Sequence, residues 1–317
     1  MDSSELQKIA ERARSVRENV IALFIAGGIL ALFFFVPLAF QKPAPAPAPV
    51  ATATSTPPDA FANVQFHAKA AIVYDLATKQ TLYEKNADAQ LPLASLTKLL
   101  TVYAALNELS PNTPITIPAD ATSVDAPRTF SAGQTFSLSD LARLTLTASL
   151  NDGATAIAEA TAERENVPQT QMLASAASAL ALSETYAVNG SGLDVSTSIS
   201  GGYGSARDLA RLAGALALQD SDVAAATTQS STEAVATNGT QFKVKNTDPI
   251  VGTIPRLLLS KTGYTDLAGG NLVLVFDSGI EHPIAVVVLG STQEDRFTDA
   301  SALVAATFAH FAGVSSL

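Results

Sequence analysis

Between Val20 and Phe40 the chain runs for 21 residues without a charged, hydroxyl or amide side chain. A helix rising 1.5 Å per residue would carry that stretch across the roughly 30 Å hydrocarbon core of a bilayer. It is therefore expected to be a transmembrane anchor at 20–40, with everything else folding on one side or the other. A cleaved leader has a shorter apolar region, about 7–15 residues, and a buried core helix is disfavoured because the segment is apolar all round and is followed by a linker. Residues 1–19 are polar and carry Lys8, Arg12, Arg14 and Arg17, whereas only Lys42 follows the span closely. Positive-inside bias then expects a cytoplasmic N-terminus, a single pass, and the rest of the chain outside the cell membrane. Residues 41–58 (QKPAPAPAPVATATSTPP) cannot build a core. Their Pro-Ala repeats favour extended polyproline geometry, so they read as a semi-rigid spacer, and their small residues could also serve as a cleavage site.

The globular part is expected over 59–317. Ala70–Leu76 reads as a buried strand, and Thr81–Lys85 as its hairpin partner after a turn at Ala77–Gln80. A helix follows with Leu96, Leu99, Leu100, Tyr103 and Leu106 at helical spacing, ending before Ser110-Pro111. Ser137 and Asp140 mark the start of a second helix over Leu138–Thr147, and Ser149-Leu150-Asn151 breaks it. Further helices are expected from Asp152 to about Glu163, over Gln169–Leu182, and over Ser205–Leu218. Strands return at Leu257–Thr262, Asn271–Asp277 and Pro283–Gly290, and Thr298–Phe311 closes the chain as a helix. Strands at both ends with helices between them predict an α/β domain of the α+β type. One antiparallel sheet is flanked by helices, with a mostly helical insertion over about 110–219 and a cleft between the layers.

Charge and residue usage exclude several chemistries. The whole chain carries a net charge of −10. Setting aside the first 58 residues leaves 14 basic against 25 acidic side chains, a net of −11. Such a surface repels phosphate backbones, so no nucleic-acid partner is expected. Cysteine is absent, which removes thiolate catalysis and Cys-ligated metals, and His67, His282 and His310 have no ligand-like spacing.

Three short motifs remain. Ser95 and Lys98 lie three residues apart on the first helix, so they project from one face. A serine becomes nucleophilic when a neighbouring base takes its proton, and a lysine serves when burial or another cation leaves its amine neutral. Lys98 is the one lysine in the chain with a serine three positions before it. Ser149-Leu150-Asn151 can present a hydroxyl and an amide at a helix junction. Lys261-Thr262-Gly263 lies on a late strand, where a glycine admits close backbone approach. Taken singly, these residues read as helix caps, an edge-strand charge and a bulge. Their order and context form the S-x-x-K, S-x-N and K-T-G set.

On these motifs, and on the runs ASLTKLLT, SLNDGATAIAE, NGSGLD, SARDLARLAGAL, SKTGYTDLAGGNLV, AVVVLGST and DRFTDA, the stretch from Ala70 to Phe311 resembles the serine D-alanyl-D-alanine carboxypeptidases. These are the low-molecular-mass penicillin-binding proteins of the S11 peptidase type, with a DD-peptidase/β-lactamase-like fold. The resemblance implies that Ser95 attacks the penultimate D-alanine carbonyl, Lys98 accepts its proton, and Ser149 relays a proton to the leaving amine. It implies that Asn151 holds substrate amide and Lys98, and that Lys261, Thr262 and Arg296 receive the terminal carboxylate. Gly263 admits the substrate backbone, and the N–H groups of Ser95 and Tyr264 form an oxyanion hole. The implied partners are peptidoglycan stem peptides ending in D-Ala-D-Ala, with β-lactams as covalent inhibitors, and no cofactor. Leu150 replaces a common glycine and is expected to narrow the cleft. The family's usual Met-Asn pair is missing at Gln171-Met172-Leu173-Ala174. No extra β-rich domain or C-terminal amphipathic anchor is read, and the N-terminal span would replace that anchor. A D,D-endopeptidase using the same residues and a silent wall-binding module are the alternatives. A class A β-lactamase is disfavoured because no E-x-x-L-N run is present.

Overall fold

The structure is a computed structural model that describes residues 3–39, 59–279 and 281–313. The chain divides into two units, Met1–Thr56 and Pro57–Leu317. In the first, α1 (Ser3–Ala39) is one continuous helix with no break between the polar segment and the apolar run. Among the described residues, no helix is long and apolar enough to cross a membrane. Phe40 and the expected spacer at 41–58 lie outside the described residues.

The second unit begins with β1 (Ala70–Asp75) and β2 (Gln80–Lys85), the expected hairpin. A short strand, β3 (Leu91–Pro92), leads through a 3₁₀ turn at Ala94–Leu96 into α2 (Thr97–Glu108). β4 (Pro114–Thr116) pairs with β5 (Thr135–Ser137), which feeds α3 (Leu138–Ala148). Then come α4 (Asn151–Glu165), α5 (Gln169–Ala179), β6 (Tyr186–Ala187), β7 (Gly202–Gly204), α6 (Ala206–Gln219) and α7 (Ser221–Ala226). A hairpin of β8 (Ser231–Val235) and β9 (Gln241–Lys245) precedes the long strands β10 (Leu257–Thr265), β11 (Gly269–Asp277) and β12 (Pro283–Ser291). α8 (Asp295–Ala312) is the last element.

The main sheet has the order β10-β11-β12-β1-β2, and every pairing in it is antiparallel. Strands from both ends of the unit therefore share one sheet, as the sequence predicts. Successive side chains of a strand point to opposite faces. Val273 and Val275 accordingly pack with Leu99, Leu209 and Leu212 on one side, while Leu272, Leu274 and Phe276 pack with Ala300 and Leu303 of α8 on the other. Burial of both faces explains why these strands read as continuous apolar runs instead of alternating ones.

Two helix starts follow the S-x-x-D pattern. Asp140 N donates to Ser137 Oγ (3.1 Å) and Asp208 N to Ser205 Oγ (3.1 Å), caps worth about 1 kcal/mol each. The insertion differs from expectation at its far end. α6 packs on β1, β11 and β12, so it belongs to the sheet layer, and the β8–β9 hairpin, beyond residue 219, packs on α3. Amphipathicity marks α6 as having a buried face but cannot say which layer that face meets.

Candidate active site

Ser95 sits in the 3₁₀ turn rather than in α2 itself, and Ala94 before it holds a left-handed φ of 50°. The turn is gripped from two sides. Asn271 on β11 is fully buried and donates through Nδ2 to Pro92 O (3.0 Å) and Leu93 O (3.1 Å), while its Oδ1 accepts from Gly290 N (2.8 Å). From the other side comes the loop at 189–192. Gly192 approaches so closely that a Cβ there would lie 1.9 Å from Ala94 O. Its φ of 76° is itself a glycine conformation.

Lys98, on the first turn of α2, is completely buried. Its Nζ lies 2.8 Å from Ser95 Oγ, 2.7 Å from Asn151 Oδ1 and 2.7 Å from Ser191 O. An ammonium would donate to all three. A neutral amine has two N–H bonds and one lone pair, and the amide and backbone oxygens can only accept. The two hydrogens then go to Asn151 and Ser191, which leaves the lone pair facing the hydroxyl of Ser95. Burial pushes the Lys98 amine well below the ordinary lysine range, Lys261 pushes it further, and Asp152 opposes.

Ser149 and Asn151 flank the joint between α3 and α4. Ser149 caps α3 with a left-handed φ of 58°, and Asn151 is the first residue of α4. Asn151 Nδ2 donates to Asp125 O (2.9 Å) and its backbone N–H to Pro127 O (2.7 Å). Asp152 fixes the same loop by accepting from Thr129 N (2.6 Å) and Phe130 N (2.7 Å). Leu150 does not narrow the cleft as expected. It is buried and packs in the hydrophobic core cluster with the helices of the insertion.

Lys261 lies on β10, an edge strand of the sheet. It is buried and donates to Ser149 Oγ (2.8 Å) and Thr262 O (2.8 Å). Burial and the nearby Arg296 lower its amine to about 7, with Asp248 opposing. The Thr262 hydroxyl shares a 2.6 Å hydrogen bond with that of Thr247. Gly263 brings β10 against the serine turn: a Cβ there would meet Leu93 O at 2.8 Å and Leu96 N at 3.3 Å. Arg296 is buried and donates through Nη1 to Gly263 O (2.7 Å), stacking over Phe297. Its bond is thus to the strand backbone. Tyr264 is the exposed member, 43% accessible.

The structure therefore gathers Ser95, Lys98, Ser149, Asn151, Lys261, Thr262 and Gly263 into one cluster, with Arg296 bonded to the backbone of the strand that carries the last three. Sequence reasoning missed Ser191, whose contribution is a backbone carbonyl, and Asn271, whose work is to hold the serine turn. The glycines around Ser191 and the buried-strand setting of an asparagine were the available signals.

The sequence matches the Peptidase S11 model, D-alanyl-D-alanine carboxypeptidase, over residues 51–293. No curated protein matches the chain. Among solved structures, it is similar to penicillin-binding protein D2 from Listeria monocytogenes in its ampicillin-bound form. That likeness has a TM-score of 0.66 and 28% identity, covering 78% of this chain and 99% of that one. The D-alanyl-D-alanine carboxypeptidase from Mycobacterium tuberculosis shares the fold at a TM-score of 0.68 and 23% identity, over 77% of this chain and 92% of that one. The carboxypeptidase DacD from Francisella tularensis does so at 0.69 and 22% identity, over 77% and 71%. With the family pattern matched across most of its length, the chain belongs to the Peptidase S11 family of D-alanyl-D-alanine carboxypeptidases.

Proposed function

We propose that this chain is a serine D-alanyl-D-alanine carboxypeptidase that removes the terminal D-alanine from peptidoglycan stem peptides through an acyl-enzyme. The observation that carries the reading is the environment of Lys98, which aims a neutral amine at Ser95 Oγ. Ser95 Oγ adds to the penultimate carbonyl carbon as Lys98 takes its proton. The carbonyl oxygen collects negative charge beside the backbone N–H groups of Ser95 and Tyr264, where donors aimed at it are worth about 3 kcal/mol. The tetrahedral adduct then expels D-alanine: the proton held by Lys98 is relayed to the departing nitrogen through the hydroxyl of Ser149, itself hydrogen-bonded to Lys261, so Lys98 is a neutral amine again and Ser149 keeps its proton. Thr262 and the charge of Lys261 receive the terminal carboxylate. Arg296 supports that site by holding Gly263. Water, activated by the same amine, hydrolyses the ester and returns the proton to Ser95.

The ampicillin and cefotaxime complexes of the Listeria protein support β-lactams as covalent inhibitors of Ser95. The reading is tested by incubating the protein with a defined pentapeptide ending in D-Ala-D-Ala. Release of one D-alanine, lost in Ser95→Ala, supports it. An unaltered peptide with a folded protein overturns it and would favour a wall-binding module.

The location is part of the same proposal. The uncharged run Val20–Phe40 would anchor the enzyme in the cell membrane with residues 1–19 in the cytoplasm and the domain from 59 outside, where the wall is built. Support comes from the length of the run and the four basic residues before it. Retention of the full-length protein in membranes after alkaline extraction, with the domain open to external protease, is the expected result.

A further inference from the structure

The proposed reaction needs two buried amines in opposite states, Lys98 neutral and Lys261 charged. Burial penalises the charge on both alike, so something else must separate them. The carboxylate nearest Lys98 in its effect, Asp152, is occupied by the backbone N–H groups of Thr129, Phe130 and Gly153. Lys261 faces Ser149 at the end of α3, Lys98 on α2, Arg296 on α8, and Asp248 on the segment between β9 and β10.

Asp248 is 2% exposed and is bonded to β10. Its Oδ2 accepts from Ser260 Oγ (2.5 Å), on the residue just before Lys261, and its Oδ1 from Ile250 N (2.9 Å). Thr247 beside it shares its hydroxyl with Thr262, just after Lys261, and its backbone N–H donates to Thr147 O (3.1 Å), two residues before Ser149. Residues 247 and 248 thus grip both flanks of Lys261 and tie them to the end of α3.

We propose that Asp248 is a positioning residue that holds β10 through Ser260, beside the tie that Thr247 makes to the end of α3, and acts as the counter-charge that makes Lys261 the cation and leaves Lys98 as the base. Its charge acts on both Lys261 and Arg296, opposing the mutual repulsion of the two cations. Burial raises the Asp248 carboxyl above the ordinary carboxylate range, and the Ser260 hydroxyl, the Ile250 N–H and the two cations oppose that rise by favouring its ionised form. What the two amine states are for rests on the carboxypeptidase reading, whereas the two titration midpoints can be read without it.

The test is an NMR titration of the whole protein labelled at lysine Cε, with Lys261 and Lys98 assigned by substitution. Asp248→Asn keeps the side-chain size and an acceptor for Ile250 N while removing the charge. The Lys261 midpoint is expected to fall by about one pH unit or more, and that of Lys98 to rise, since its repulsive neighbour is then charged less of the time. Ser260→Ala, which keeps the carboxylate but removes its donor, should move Lys261 the same way by less, and it decides the matter should Asp248→Asn fail to fold. A merely structural clasp would not move the two midpoints in opposite directions. Unchanged midpoints in a folded variant overturn the proposal. The midpoints are read without turnover, so an inactive wild-type protein would sink the carboxypeptidase reading separately.

Discussion

Lys261 Nζ lies 2.8 Å from Ser149 Oγ, although 112 residues of chain separate them. One group comes from an edge strand of the main sheet and the other from the helical insertion, so the bond ties the sheet to the insertion. Its strength rests on a charged or strongly polar donor meeting a hydroxyl away from water.

Replacing Ser149 with alanine removes the hydroxyl and leaves the Lys261 amine bonded to Thr262 O alone. Turnover of a D-Ala-D-Ala peptide should fall by about 10²- to 10⁴-fold, the usual worth of a positioned proton donor. Stability should drop by about 1–3 kcal/mol for the partner left short of a bond. Steady-state kinetics and urea unfolding of the same preparation separate the two effects.

At Lys98 the expected behaviour turns on proton affinity. Arginine keeps a positive charge but does not give up its proton at working pH. Lys98→Arg should therefore lose activity by about three orders of magnitude or more while the protein stays folded. Acylation by a fluorescent penicillin, followed over time, is the measurement, and a near-wild-type acylation rate would contradict the role of base.

The pH dependence has two parts with opposite signs. Lys261 titrates at about 7 in the folded protein against an ordinary value of 10.5. Between those values the unfolded chain holds a proton that the folded chain does not, so stability rises with pH through that window. Lys98, lowered as well, adds in the same direction. In the proposed mechanism, capture of a carboxylate by Lys261 needs its charge, which is lost as pH climbs past about 7. Calorimetric melting temperature should thus rise from pH 7 towards pH 9 while kcat/KM falls, and Lys261→Met should flatten the rise.

Gly263→Ala tests the approach of β10 to the serine turn. The new methyl would press on Leu93 O at 2.8 Å, a backbone atom that Asn271 already holds in place. The strand must shift, and a displacement near 1 Å in a reacting constellation costs about 10²-fold in rate. A loss of that order, at a stability cost of about 1–3 kcal/mol, is expected from parallel kinetic and melting measurements.

Much of this arrangement could be read from residue type. The capped helices α3 and α6, the apolar long strands and the three motifs all announce themselves through periodicity or through side chains with distinctive chemistry. What stayed hidden depends on backbone or on partners. Ser191 contributes a carbonyl, which every residue owns, so its identity carries no signal. The β8–β9 hairpin is polar and exposed on alternate positions, and only Asn238-Gly239 in its connection marks it as a turn. Leu150 looked like a groove residue because its neighbours are, yet it packs in the core. Arg296 was read as a carboxylate ligand from its motif, and the fold adds a bond from its Nη1 to Gly263 O that the motif does not announce.

Ser149 and Asn151 stand only two positions apart, yet one touches Lys261 and the other touches Lys98. Both amines therefore answer to a single short joint, which is itself braced by the carbonyls of Asp125 and Pro127. In the proposed mechanism, a ligand or substitution that tilts this joint would retune nucleophile activation and product departure together, because neither half of the chemistry can be adjusted there alone.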